Sequence, residues 1–251
     1  MSHQGSNVPG TVVISAATHG ELSLLLKAFG GRTVESPGGL PVWEGVTASG
    51  RVILAVTGMG KINAAAATAV LIERHAPRLI INTGCAGAFP ESGLMVGELA
   101  LASSEITADE GVITSTDWLS YEEMGIAAVE REGKRYFNEF PLSPAVAQRA
   151  LCLAAALGIP LTRGRFVTVS TCSGAARRGR DLYERFGSPL CESMEGAAVA
   201  QVALRYGVEC LEIRGMSNLV EERDLSRWEI PLAVERAQRF LLKFLDSWQG
   251  A

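Results

Sequence analysis

Short β-branched runs alternate along this chain with segments of small residues at helical spacing. Thr11–Ala17 (Thr-Val-Val-Ile-Ser-Ala-Ala) is apolar throughout, the pattern of a strand buried on both faces. It breaks at Thr18-His19-Gly20, and Glu21–Phe29 follows with the apolar spacing of a helix. Val42–Glu44 and Arg51–Thr57 read as a strand pair around Gly45–Gly50. Thr57-Gly58-Met59-Gly60-Lys61 then leads into an alanine-rich helix over Ile62–His75. Arg78–Thr83 is a buried strand running into the small residues Gly84-Cys85-Ala86-Gly87-Ala88, and Gly97–Ser104 is another strand. Asp117–Pro141 holds Trp118, Tyr121, Tyr136 and Phe137 with little periodicity; so long an irregular stretch reads as a lid, a substrate wall or a subunit contact. Pro144–Leu157 is an amphipathic helix with proline in its first turn. Arg165–Ser170 is a strand, Thr171–Arg180 a Gly- and Arg-containing loop, and Glu209–Arg214 a strand. Pro231–Leu245 closes the chain as a helix with Ala233, Val234, Ala237, Phe240, Leu241, Phe244 and Leu245 on one face. Neither a repeat nor a linker interrupts the alternation. The expectation is one three-layer α/β domain over residues 11–251, behind a disordered polar leader at residues 1–10.

Composition narrows the function classes. Hydrophobic residues make up 47% of 251, ample for a large core. The formal net charge is −4 with scattered basic residues, so nothing recommends a nucleic-acid partner. Five cysteines stand far apart without paired spacing, which reads as reduced thiols in a cytoplasmic protein. The three histidines form no metal-ligand pattern with them. No signal peptide and no bilayer-length apolar run is found, so no membrane partner is expected.

Candidate chemistry gathers around Cys191–Gln201, where Glu195 heads the small, apolar run of a buried helix and Glu192 lies one turn earlier. Two readings stand there. An anion near a helix N-terminus is favoured by the macrodipole; alternatively, a carboxylate at a pocket mouth can grip the hydroxyls of a ligand. Glu21 has the same ambiguity at the carboxyl end of the first strand, the edge where open α/β sheets bind ligands. Gly58-Met59-Gly60-Lys61 is not a phosphate loop, since Ala55 and Ile62 occupy places that need glycine and Ser or Thr. Nor is it a dinucleotide fingerprint, whose third glycine would fall at Asn63. It remains a tight turn allowing close backbone approach. Residues 84–88 leave room for a flat ligand. Arg214, Ser217 and Asn218, just past a strand end, are candidate site groups, or else Ser217 and Asn218 simply turn the chain.

Taken in order, Glu21 after its strand, Gly58-x-Gly60-Lys61, Asn82-Thr83-Gly84-Cys85-Ala86-Gly87, Ser193-Met194-Glu195-Gly196-Ala197 and Arg214-x-Met216-Ser217-Asn218 resemble the purine nucleosidase and nucleoside phosphorylase family. The resemblance implies a three-layer α-β-α phosphorylase/hydrolase-like fold with a central mixed sheet. It also implies cleavage of an N-ribosidic bond in a small-molecule nucleoside, no metal or organic cofactor, and a homo-oligomer. By the same resemblance Glu195 holds the ribose hydroxyls beside a cationic sugar, Met194 packs on the ribose face, and Glu21 activates the attacking water. Cys85, Ala86, Gly87, Thr171, Cys172 and Ser217 line the substrate pocket. Arg214 orients a carboxylate or orders that water, or else serves a structural ion pair with Glu192 or Glu212.

Adenosine-type relatives carry Asp where this chain has Asn218, and usually Glu where it has Ser193. An amide can donate to the carbonyl of a 6-oxopurine, where a carboxylate would repel it, so Asn218 argues for a hypoxanthine leaving group. Phosphorylases grip phosphate with arginine just before the central Gly-rich turn. Here Ile81-Asn82-Thr83-Gly84-Cys85 has no cation, and lone Lys61 is a poor dianion clamp, so water is the expected nucleophile. The competing enzyme is an adenosine-type nucleosidase for 5′-methylthioadenosine and S-adenosylhomocysteine. A catalytically silent nucleoside-binding protein is disfavoured, because Glu21 and Glu195 are both retained.

Overall fold

Residues 10–47 and 50–248 are described by a computed structural model of the chain. The expected leader lies, apart from Gly10, outside them. Strand β1 (Val12–Ala16) sends Val12 and Ile14 to one face and Val13 to the other, and all are buried. A single 3-10 turn at Gly20–Leu22 carries Glu21 into helix α1 (Ser23–Phe29). The short β2 (Arg32–Val34), without a hydrophobic signature, pairs antiparallel with β3 (Val42–Thr47), which pairs in turn with β4 (Gly50–Val56). After α2 (Lys61–His75), β5 (Leu79–Ala88) returns parallel to β1 on the side opposite β4.

The remaining strands close a ring. β6 (Leu99–Thr107) runs on into an arm of four short strands, β7 (Val112–Ile113), β8 (Trp118–Leu119), β9 (Val129–Arg131) and β10 (Lys134–Tyr136), before β11 (Glu139–Pro141) pairs back on β6. Beyond α3 (Pro144–Leu157) lies β12 (Leu161–Thr168), parallel to β6. Helix α4 (Ala176–Arg185) and β13 (Cys191–Ser193) follow. Then come α5 (Gly196–Tyr206), β14 (Glu209–Leu219) and α6 (Ile230–Ser247). β5 pairs with β14, β14 with β6, β6 with β12, β12 with β13, and β13 with β5 again. The sheet is mixed, and one end of it curls into a five-stranded closed circuit.

Helices cover both faces. α2 and α5 pack with Val13, Ile53, Ile80 and Met216 on one side, through Ala64, Leu71, Ala197 and Ala203. α3 and α6 pack with Ile14, Leu54, Ile81 and Ile213 on the other, through Val146, Ala150, Phe240 and Phe244. This is the three-layer arrangement expected.

Four expectations need correcting. Residues 84–88 do not follow a strand; they continue β5, because β14 pairs with it as far as Ala88. Ser217 and Asn218 therefore do not turn the chain. They sit inside β14, at a register shift between Met216 and Asn218. The expected 171–180 loop gives way to α4, whose polar sequence conceals an apolar anchor. Leu182 and Phe186 pack with Phe89, Val167 and Val220, a tertiary contact that local sequence does not announce. Finally, Glu192 is not one helical turn before Glu195. It belongs to β13, and the helix begins only at Gly196.

Candidate active site

Glu21, Glu195 and Arg214 come from three distant segments and meet in one hydrogen-bonded frame. Glu21 is only 6% exposed. Its Oε2 accepts from the Thr18 N–H and hydroxyl, both at 2.9 Å, and its Oε1 accepts from the Cys85 N–H at 3.1 Å. A single 3-10 turn is too short for the dipole reading to explain burial of this carboxylate, whereas three donors from two elements do.

Glu195 occupies the N-cap position of α5 but does not cap it with its side chain. Instead, Oε1 accepts from the Gly60 N–H at 2.9 Å and Oε2 faces Arg214 Nη2 at 3.4 Å. The Gly-x-Gly turn thereby acquires its purpose. Gly58 and Gly60 both have positive φ, and the turn delivers a backbone N–H to Glu195.

Arg214, 1% exposed, spans the frame. Its Nε donates to Glu212 at 2.8 Å and its Nη1 to the Cys85 carbonyl at 3.2 Å. Glu212, Glu195 and Glu21 hold the guanidinium in its charged form despite burial, raising its pKa further above the ordinary value. The ion pair with Glu212 is thus present, and one with Glu195 accompanies it. Glu192 takes no part in it and accepts instead from the Ser173 N–H and hydroxyl, each at 2.7 Å. Burial pushes Glu192 upward from the usual carboxylate value, and the Ser173 bonds pull it back.

Ala86, Gly87, Ser217 and Asn218 adjoin this frame along β5 and β14. The Ser217 hydroxyl lies 2.7 Å from Asn218 Oδ1 and 3.2 Å from the Ala86 carbonyl. Asn218 Nδ2 donates to the Leu219 carbonyl at 3.0 Å, leaving its second hydrogen for a ligand. Met194 is half-buried between β13 and α5. Cys172 feels Glu192 and Glu195, and its thiol is pushed up to about 11, chiefly by burial. The Cys85 thiol is likewise pushed up to about 11, by burial and then by Glu21. Thr171 is exposed, and its carbonyl accepts from Arg178 at 3.0 Å. Lys61 is bound by Asp109 at 2.6 Å and Glu110 at 2.8 Å.

Sequence reasoning missed a second buried carboxylate pair beneath the frame. Glu105 and Glu212 converge on Gly196, where an added Cβ would collide with an oxygen of each. Thr168 donates to Glu105 Oε2 at 2.7 Å, while no donor reaches Glu105 Oε1. Burial and the Glu212 charge push Glu105 well above the usual carboxylate range. Glu105 lies one residue beyond the expected strand Gly97–Ser104, inside the longer observed β6, and nothing around it in sequence marks it out.

A fold of this topology, with paired buried glutamates at its strand ends, defines a class. The sequence profile of the phosphorylase superfamily matches residues 11–246, and the chain belongs to that superfamily. It is 34% identical to futalosine hydrolase of Thermus thermophilus, over 83% of this chain and 87% of that one. It is 33% identical to 5′-methylthioadenosine/S-adenosylhomocysteine nucleosidase of Halalkalibacterium halodurans, over 70% and 71%. In structure it resembles futalosine hydrolase of Helicobacter pylori, with a TM-score of 0.82 at 21% identity, covering 97% of this chain and 100% of that one. These relatives are nucleoside hydrolases by name. No helix among the described residues is long and apolar enough to cross a membrane.

Proposed function

We propose that this chain hydrolyses the N-ribosidic bond of futalosine, releasing hypoxanthine and dehypoxanthine futalosine in menaquinone biosynthesis. The observation that carries this reading is a site with two buried carboxylates, Glu21 and Glu195, and two cations, Arg214 and Lys61, that are already neutralised. Arg214 is paired with Glu212 and Glu195, and Lys61 with Asp109 and Glu110. Breaking the bond builds positive charge on the sugar, which preorganised anions stabilise. The same anions repel phosphate, so water is the nucleophile. Glu21, fixed by Thr18 and the Cys85 N–H, takes the proton as the water oxygen bonds to C1′. The bonding pair leaves on the purine. Glu195 grips the ribose hydroxyls with the lone pairs that Gly60 and Arg214 leave free, Met194 packs on the ribose, and Arg214 holds Glu195 in place.

The base lies against Cys85, Ala86 and Gly87 and the Thr171–Cys172 loop, with the Asn218 amide donating to its 6-oxo group. Ser217 fixes the amide by donating to Oδ1, which turns Nδ2 towards the base. The Cys85 and Cys172 thiols remain protonated near neutrality and supply no nucleophile. The reading extends to a cytoplasmic homo-oligomer. Exposed Met59, Ile62, Val112 and Ile113 flank the Lys61 ion pairs in sequence and suit a contact between copies.

The purified protein is to be incubated with futalosine, inosine and methylthioadenosine, without and with phosphate, and the products identified. Hypoxanthine from futalosine, at a rate indifferent to phosphate, is the expected result. Adenine as the preferred product, or a ribosyl phosphate, would overturn the reading.

A further inference from the structure

Beneath the Arg214 frame, Glu105 of β6 reaches across Gly196 to Glu212. A Cβ on Gly196 would overlap both Glu105 Oε1 and Glu212 Oε2, so the two oxygens meet over a bare α-carbon, within hydrogen-bonding reach of each other. Glu105 is fully buried. Thr168 donates to its Oε2 at 2.7 Å, and among the described residues no donor reaches Oε1. Two ionised carboxylates in that contact would repel each other. A proton between them turns the contact into a charge-assisted hydrogen bond.

Glu212 passes the constraint on. Its Oε1 accepts from Asn82 Nδ2 at 3.1 Å and from Arg214 Nε at 2.8 Å. It meets the guanidinium at Nε rather than in the two-pronged pairing that arginine can make, so the tilt of Arg214 follows one carboxylate oxygen. The far side of the guanidinium faces Glu195 Oε2 at 3.4 Å, the longest of its three contacts. A swing of Glu212 is therefore felt first at Glu195. We infer that Glu105 is a positioning residue for the hydrolysis: its carboxyl group, hydrogen-bonded to Glu212 across Gly196, fixes the tilt of Arg214 and through it the place of Glu195. The role rests on the reading of Glu195 and Arg214 as sugar-binding machinery and not on the identity of the base.

Such a bond depends on pH. Burial and Glu212 raise the pKa of Glu105, so the proton is held at low pH and leaves as pH climbs through the raised value. Once ionised, Glu105 repels Glu212 and draws Arg214 away from Glu195. Few charged groups face it. β14 offers Glu212, Arg214 and the Cys210 thiol, and β13 the Cys191 thiol; burial keeps both thiols neutral. β12 and β11 face it with Thr168 and Phe140. The first two turns of α5 carry no titratable group, and Glu195 at their head turns to Gly60 and Arg214.

The test measures kcat and KM from acid to alkaline pH in the wild-type protein, E105Q and E105M, on whichever of futalosine and methylthioadenosine the wild type hydrolyses faster. Glutamine keeps a donor towards Glu212 and an acceptor for Thr168, whereas methionine keeps the volume and loses both. Near neutrality E105Q should hold kcat within about threefold of wild type, and E105M should lose about tenfold or more in kcat with KM nearly unchanged. The alkaline fall in wild-type kcat should move to higher pH in E105Q, whose amide does not titrate. A residue serving only the core would show neither effect, since a buried polar group is often exchanged for an apolar one of like volume without loss. E105M with wild-type kcat, E105Q as impaired as E105M, or an alkaline limb identical in wild type and E105Q would each overturn the role. If circular dichroism shows E105M unfolded, the E105Q profile decides: an unmoved limb overturns the role and a moved one upholds it. A wild type that prefers methylthioadenosine sinks the futalosine reading and leaves the test of Glu105 standing, whereas one that cleaves neither nucleoside sinks both.

Discussion

For Glu195 the proposed catalytic role competes with a helix-end role. Its side chain ignores the N-terminus of its own helix and faces Gly60 and Arg214. E195Q keeps the shape but loses the charge opposite the cationic sugar, and turnover should fall by about two orders of magnitude or more, with the melting temperature little changed. Full activity in that variant would return Glu195 to its helix-end role. E21Q should abolish hydrolysis while substrate affinity, read by calorimetry, stays within a few-fold, because a base acts in the chemical step. N218D tests base recognition. A carboxylate facing the 6-oxo group should cost about 2–4 kcal/mol in transition-state stabilisation, while an adenine nucleoside suffers less. The ratio of catalytic efficiencies on the two bases must move towards adenine. These candidates stood out in the sequence because each sits in a short motif of unusual polarity against small or apolar neighbours. Glu105 did not, since a lone carboxylate one residue beyond an expected strand looks like any solvent-facing residue until the ring of strands closes around it.

Among the elements, β5 bears the heaviest constraint. Gly84 has φ of 147°, and a Cβ there would strike Glu21 Oε1 and come within 2.7 Å of Arg214 Nη1. G84A should therefore lower stability by about 1–3 kcal/mol and reduce turnover beyond what that loss explains, because relieving the clash displaces both site residues. Thermal melts alongside kcat would show it, and a stable, fully active G84A would remove the glycine from the argument. α3, α5 and α6 could be read from period and capping residues, since their own sequence carries the apolar face. α4, β2 and β13 could not. α4 is anchored by Leu182 and Phe186 against partners far away in sequence, and β13 is three residues long and defined by what it pairs with. Likewise the ends of β5 and β14 were misplaced because each strand is prolonged by the other.

At the scale of the molecule, the closed circuit of five strands makes a dry place for Glu105 and Glu212, with consequences for stability. A carboxyl group whose folded pKa is raised contributes fully at pH below its ordinary value of 4.5. That contribution is lost as pH climbs through the raised value, because the folded state must then surrender its proton. Stability should therefore decline as pH rises above 4.5. E105Q, which keeps a hydrogen-bond donor towards Glu212 without a titrating proton, should flatten that decline. Buried Cys191 and Cys210, both raised well above 9.0, add their own loss at still higher pH. Melting temperatures from below pH 4.5 upward would decide the matter, and parallel curves for the two proteins across that whole range would refute the role of Glu105. The three-layer class could be read from the alternation of elements; the ring could not, since closure depends on which strand edges meet.

The neutralised cations bear on direction as well as rate. Because Lys61 and Arg214 spend their charge on glutamates and an aspartate, neither is free to hold the phosphate that would store the energy of the broken bond as a sugar phosphate. The bond is spent on solvent, and the reverse reaction would have to run against water itself. Such a step behaves as a valve. Whatever feeds it is drawn forward, and the freed base must find its way back into nucleotides by another enzyme.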